Sequence, residues 1–248
     1  MTDNKRALEL VARAIKQQEA LGLGGVRLSY DLLNTITPRQ PRVTVAKAGS
    51  LEEFCGQINT CTKCRLHQGR NKFVFGVGNP NAKVMFVGEG PGRDEDLKGE
   101  PFVGRGGQLL DKILAAIQFD RTQIYIANVL KCRPPENRDP LPHETAACYP
   151  WLERQIELVK PRVICTVGSH SARLLTGRPK DTIGTLRGKV HYYKGIPVVP
   201  TYHPAFLLRS PGYKRFTWED VQLVPDLYLK SDAPRQSEVG GLPSGEPT

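Results

Sequence analysis

Val84-Met85-Phe86-Val87-Gly88-Glu89-Gly90-Pro91-Gly92 is a short apolar run that gives way at once to a glycine-rich turn. A strand buried on both faces has this form, because neither row of side chains meets water and the period-two alternation disappears. Three later runs have the same form: Ile124 to Ala127, Val163 to Val167 and Ile196 to Val199. Between some of them lie helical patterns. Gln108 to Ile117 places Leu109, Leu110, Ile113, Leu114 and Ile117 on one stripe, and Trp151 to Val159 makes another, with Pro150 at its first turn or at a kink. Strands alternating with helices imply βαβ crossovers, hence an α/β fold around a central four-stranded, largely parallel sheet. No internal repeat is visible.

In such a sheet, ligands bind in the crevice at the carboxyl ends of the strands. Those ends lead to Glu89 and Gly90, to Asn128, to Ser169-His170, and to Thr201-Tyr202-His203-Pro204. A lone histidine or asparagine is ordinarily a satisfied core or surface residue; Asn128 and His203 at converging strand ends make a candidate site. The glycine loop has neither GxGxxG spacing nor a P-loop Lys-Ser/Thr, and Pro91 removes an N–H that a phosphate cradle would use. No nucleotide cofactor is therefore expected.

The whole chain has 248 residues, 39% hydrophobic and 24% charged, an ordinary globular composition. No run of 18 apolar residues and no signal-peptide pattern occurs, so no membrane partner and a cytoplasmic location are expected. The net charge is +10. Residues 1–50 hold +4 of it, in an amphipathic helix (Leu8, Val11, Ala12, Ile15) and a proline-containing linker. The tail, 231–248, is acidic, rich in Pro, Gly and Ser, and reads as disordered. The main domain, 51–230, keeps +8, which points to a polyanionic partner that gains affinity through counterion release.

Six cysteines in a reducing compartment suggest a metal or iron–sulfur site before disulfides. Cys61-Thr-Lys-Cys64 is a close pair, and Cys132 and Cys148 complete four thiolates. This spacing leaves zinc and an iron–sulfur cluster both open. Cys165 lies mid-strand and reads as an inert buried thiol, while Cys55 is a weaker substitute ligand. Around Cys132, the segment Lys131-Cys-Arg-Pro-Pro-Glu-Asn-Arg138 carries Lys131, Arg133 and Arg138, pinned by two prolines in a form suited to phosphate contacts.

With these residues in hand, the chain resembles the family 4 uracil-DNA glycosylases, the iron–sulfur-containing branch of that superfamily. The resemblance runs from about Cys61 to Val221. It rests on Gly88-Glu-Gly-Pro-Gly followed by Glu95-Asp96, Gly99-Glu-Pro-Phe-Val-Gly104, Ile126-Ala-Asn128, Lys131 to Arg138, and His203-Pro-Ala-Phe-Leu-Leu-Arg209. Residues 1–50 and the tail lie outside it. The resemblance implies a three-layer α/β/α sandwich and assigns Cys61, Cys64, Cys132 and Cys148 to a 4Fe-4S cluster.

It also implies the chemistry. Uracil is flipped out of DNA, and its N-glycosidic bond is hydrolysed through an oxocarbenium-like sugar, leaving an abasic site. Phe102 stacks on the base, the Gly90 backbone approaches it, and the Asn128 amide pairs with N3–H and O4. His203 donates to O2, where leaving-group charge gathers. Other branches of the superfamily carry an aspartate in the first motif to position the water, but here Gly90 and Pro91 follow Glu89, so Glu89 itself is the candidate for orienting water or acting electrostatically, with Glu95 as second choice. Leu207 wedges into the vacated stack, core packing being the alternative, and Arg209 holds a phosphate. The expected enzyme is a monomer acting on single- or double-stranded uracil-containing DNA. The alternative from another class is a non-catalytic nucleic-acid-binding module organised by a metal or iron–sulfur cluster. A zinc nucleobase deaminase ranks far behind, since the chain lacks the His-x-Glu and Pro-Cys-x-x-Cys elements.

Overall fold

The computed structural model describes residues 48–230. The expected N-terminal helix and the tail lie outside the described residues. Ser50 opens the described part as a helix cap, its hydroxyl accepting from the Glu53 N–H at 3.1 Å, and α1 runs Leu51–Ile58.

All four apolar runs are strands, and each pairs in parallel. We number them with the short edge strands: β1 (Val77–Gly78), β2 (Val84–Gly88), β3 (Ile124–Asn128), β4 (Val163–Val167), β5 (His191–Tyr193) and β6 (Ile196–Thr201). The order across the sheet is β1-β3-β2-β4-β6-β5. The register sets Val84 opposite both Ile124 and Val163, and Ile164 opposite Val198. The sheet is thus six-stranded and mixed, where the sequence led to four strands. The additions are β1 and β5, antiparallel to their neighbours and two and three residues long. Neither is long enough to show a period.

The connection leaving β2 runs to β3 on one side, and that leaving its neighbour β4 runs to β5 and β6 on the other, so the connections diverge between the carboxyl ends of β2 and β4. That divergence opens the crevice in which ligands of open α/β sheets sit. Alternate residues of the strands face opposite ways. Val84, Phe86, Ile124, Ile126, Val163 and Cys165 share one buried cluster with Leu110 and Leu114 of α3 (Arg105–Ala116) and with Val221 and Val224 near the C-terminus. Each side chain buried in this way contributes roughly 1.5–3 kcal/mol relative to exposure. On the opposite face, Gln155 of α4 (Pro142–Val159) donates to the Tyr125 hydroxyl at 3.1 Å.

Helix α4 begins nine residues before the stretch expected from sequence, and Pro150 lies in its interior. Pro142 supplies a preset first turn, and the buried Glu144 carboxylate accepts from the Leu141 N–H at 2.9 Å, closing a capping box. An interior proline costs about 3 kcal/mol. Trp151, Leu152, Ile156 and Val159, all buried on this helix, together outweigh that cost.

Candidate active site

A cleft of about 680 Å³ lies over the carboxyl ends of the parallel strands. Glu89, Gly90, Phe102, Asn128 and His203, drawn from separate parts of the chain, all line it. The packing beneath them starts at Gly88. A Cβ there would stand 2.3 Å from Asn128 Oδ1 and 2.7 Å from the tip of the Phe102 ring, so only glycine lets both side chains lie over the strand end. Asn128 is buried, and its Oδ1 is an acceptor with no hydrogen-bond partner among the described residues.

Phe102 has a positive φ of 55°, unfavourable for a bulky side chain, and it is held there from both sides. Arg121 donates to the Phe102 carbonyl and forms an ion pair with Asp111 at 2.6 Å. On the other flank Glu95, in α2 (Arg93–Lys98), accepts from the Val103 and Gly104 N–H groups, both at 2.9 Å, and from Gly92 at 3.1 Å. Glu95 is therefore committed to tying two loops together. This corrects its place as second choice for orienting water, because both carboxylate oxygens are already engaged by backbone donors.

The His203 ring stacks against Phe102 with centroids 5.6 Å apart and 27° between planes. Its Nδ1 accepts from the Ala205 N–H at 3.1 Å, capping α7 (Pro204–Arg209), the helix that follows the single-turn α6 (Ile183–Leu186) in the chain. That bond leaves the proton on Nε2. Burial pulls the pKa down to about 4, so the ring is a neutral donor near pH 7. Glu89 Oε1 accepts from the His170 N–H at 2.8 Å, at the start of α5 (Ser169–Thr176). Gly168, with φ of 110°, permits this approach, since a Cβ there would lie 2.5 Å from the same oxygen. Burial raises the Glu89 pKa, and the backbone donors at the helix start partly offset it.

The expected DNA contacts divide. Arg209 is exposed at the cleft rim, and Arg133 is half-buried, donating to Asn137 Oδ1 at 2.7 Å. Arg138 also lines the cleft, but grips the buried Glu144 through two bonds of 2.8 and 2.6 Å. Lys131 is not on the surface at all. It is 0% exposed, and its ammonium donates to the Asn128 carbonyl at 2.7 Å and to Gln155 Oε1 at 2.5 Å, so it supports the strand end from within and does not reach a phosphate. Leu207 is buried too, at 1%, which corrects the wedge in favour of core packing; Leu208, 36% exposed, is the apolar side chain this helix presents outward.

Three arginines missed in the sequence, Arg93, Arg105 and Arg173, also line the cleft. Arg93 and Arg105 are each the first residue of a helix entered from a glycine, Gly92 and Gly104, and that Gly-Arg pairing was the available signal; Arg173 lies within α5 and donates to the Asp181 carbonyl at 2.7 Å.

Cys61, Cys64, Cys132 and Cys148 come together around one small recess with Phe73 and Trp151, while Cys55 and Cys165 stay apart. Two N–H donors point at sulfur: Arg70 Nη1 to Cys132 Sγ and the Lys131 backbone N–H to Cys148 Sγ, both at 3.3 Å. Among the described residues, no group of three or more Cys, His, Asp or Glu is drawn in closely enough to hold a single metal ion.

Residues 75–223 match the Uracil DNA glycosylase superfamily. The chain is 44% identical over 185 residues to the type-4 uracil-DNA glycosylase of Archaeoglobus fulgidus, covering 72% of this chain and 93% of that protein. This chain belongs to the type-4 uracil-DNA glycosylases. A type-4 uracil-DNA glycosylase of Thermotoga maritima is 43% identical over 175 residues (69% of this chain, 91% of that protein). A type-5 uracil-DNA glycosylase of Pyrobaculum aerophilum is 30% identical over 214 residues (73% and 90%). The superfamily match spans the strands, the cleft and two of the four clustered cysteines; Cys61 and Cys64 precede it. No helix among the described residues is long and apolar enough to cross a membrane.

Proposed function

We propose that this chain is a DNA repair glycosylase that hydrolyses the N-glycosidic bond of uracil in DNA. The observation that carries the reading is the buried, unpartnered Asn128 Oδ1 beside the Phe102 ring. A buried acceptor without a donor is costly, about 1–3 kcal/mol, unless a ligand supplies the donor. Uracil N3–H does so while the Asn128 NH₂ donates to O4. Cytosine presents an acceptor at N3 and a donor at C4, so both pairs fail, and sites of this kind reject mismatched ligands by roughly 10⁴ to 10⁵.

With the base stacked on Phe102, the neutral His203 Nε2–H donates to O2. The bond from C1′ to N1 breaks, its electron pair leaves with the uracil, and the negative charge spread to O2 strengthens the His203 hydrogen bond in the transition state. Glu89, ionised and anchored by the α5 backbone, stabilises the cationic sugar and takes a proton from the water that adds to C1′. Gly90 lets the base approach the backbone. Arg209, with Arg133 and the newly identified Arg93 and Arg105, meets the phosphates. The products are free uracil and an abasic site.

Cys61, Cys64, Cys132 and Cys148 are the proposed ligands of a 4Fe-4S cluster. Four thiols around one recess with N–H donors aimed at sulfur suit this group. Four thiolates would suit zinc as well, and it is the kinship with the type-4 uracil-DNA glycosylases that favours the iron–sulfur cluster. Bound there, the cluster supplies a covalent staple between the 61–64 segment and the loop after β3. The three-layer sandwich, the 51–230 catalytic domain, monomeric action and a cytoplasmic location complete the reading.

Release of free uracil from a uracil-containing oligonucleotide tests it. No release by cluster-loaded protein that still binds the strand would favour a non-catalytic binding module. Cys132→Ala should abolish the brown iron–sulfur absorbance; unchanged absorbance and iron content would remove Cys132 from the ligand set.

A further inference from the structure

Beside the cleft stands a group of rings that the chemistry above does not use. Tyr202, the residue after β6, stacks on Phe206 of α7 with centroids 5.2 Å apart and 27° between planes. Tyr213 meets both edge-on, at 5.2 and 5.0 Å, and Phe216 continues the row at 5.8 Å from Tyr213. Two members, Tyr202 and Phe206, also line the cleft, so the row is continuous with it. Its outer member is not core: Tyr213 is 42% exposed.

The charge around this row is one-sided. Arg209, Lys214 and Arg215 are all exposed, and none forms an ion pair among the described residues. The neighbouring acids are already taken, since Glu219 and Asp220 both pair with Arg187, at 3.0 and 2.8 Å. Arg215 lies over the Phe216 ring at 4.5 Å. Exposed aromatic faces flanked by unpaired cations form the combination that binds single-stranded nucleic acid, with rings stacking on bases and cations following the backbone.

We propose that Tyr213, supported by Phe206 and Tyr202, is a stacking shelf for the nucleobase next to the flipped uracil on the same strand, with Lys214 and Arg215 following its phosphates. The proposal rests on the uracil reading of the cleft, because the occupant is the continuation of a strand whose flipped base lies there. The shelf gives that neighbour a surface to stack on once its own stack is opened. It therefore favours substrates in which no complementary strand competes for the base.

The test uses the full-length protein and a single-stranded oligonucleotide carrying 2′-fluoro-2′-deoxyuridine, whose glycosidic bond resists cleavage, with 2-aminopurine on one side of it or the other. Stacking quenches 2-aminopurine fluorescence. Quenching is expected on one side only, and Tyr213→Ala should remove it and weaken strand binding by about 5- to 150-fold, the range for loss of one base–aromatic stack. Tyr213→Phe should retain both. Tyr213→Leu, which keeps apolar bulk without a ring face, should behave as the alanine variant does, and it decides the matter should Tyr213→Ala fail to fold. Binding within twofold of wild type in the leucine variant, or equal quenching in all proteins, overturns the shelf. Failure of the underlying reading looks different: wild-type protein would release no uracil from the same strand made with ordinary deoxyuridine.

Discussion

The cleft and the cysteine recess lie close together along the chain after β3, yet they treat polar groups in opposite ways. In the cleft, Asn128 Oδ1 is buried with no partner among the described residues, and the His203 ring keeps a donor aimed away from its own helix. Around the recess most side chains are consumed: Arg70 binds two carbonyls and a sulfur, and even the buried Lys131 finds two acceptors, while Trp151 Nε1 is the exception, buried there with no hydrogen-bond partner among the described residues. An unspent buried group is a cost to folding that a ligand repays; a saturated one is scaffold. Substitutions in the first region should therefore change chemistry with little effect on stability, and those in the second should do the reverse.

The largest effect should come from Asn128→Asp, which replaces the NH₂ donor to O4 with an acceptor. Uracil release is expected to fall by about 10⁴-fold, measured under single-turnover conditions with circular dichroism confirming the fold. A loss under tenfold would break the contrast at its strongest point. Next, His203→Ala should lower the single-turnover rate by about 10²- to 10³-fold, as removal of one oxyanion donor does, and should weaken strand binding far less. Equal losses in both would mean that His203 only binds.

The third effect is a pH dependence. Burial raises the Glu89 pKa, so on acidification this carboxylate takes up its proton earlier than a free glutamate would. Release should therefore decline on the acid side as the anion is lost, and Glu89→Gln should be slow and lack that limb. A wild-type profile flat down to the ordinary carboxylate range would remove Glu89 from the chemistry. The smallest expected effect on activity lies in the scaffold. Arg138 holds the Glu144 carboxyl below its ordinary value of 4.5. A depressed carboxyl pKa stabilises the fold fully above the unfolded value and loses that contribution as pH falls through the folded one. Glu144→Gln should thus lower the urea midpoint at pH 7, with the difference from wild type shrinking on acidification, while uracil release stays within a few-fold.

What the sequence made legible follows from what each element needs. Parallel strands buried on both faces must be apolar throughout, so β2, β3, β4 and β6 stood out; β1 and β5 pair by backbone alone over two or three residues and leave no pattern. Asn128 and His203 were legible because strand ends fix where such residues point. Lys131 was not: a buried lysine depends on acceptors elsewhere, here Gln155, 24 positions away, and a basic run beside prolines looks the same whether it faces solvent or core. Leu207 and Leu208 are adjacent and identical in type, and only helix phase separates the buried one from the exposed one.

The brevity of β1 and β5 bears on how the protein behaves at high concentration. An exposed sheet edge is a row of unpaired N–H and C=O groups on which another chain can polymerise. Here the four long, apolar parallel strands are all interior to the sheet, and the edges offer two residues on one side and three on the other, ending in glycine and carrying His191. The strands most prone to aggregate are screened by the two least able to template it, which favours a protein that stays dispersed even where DNA gathers many copies in a small volume.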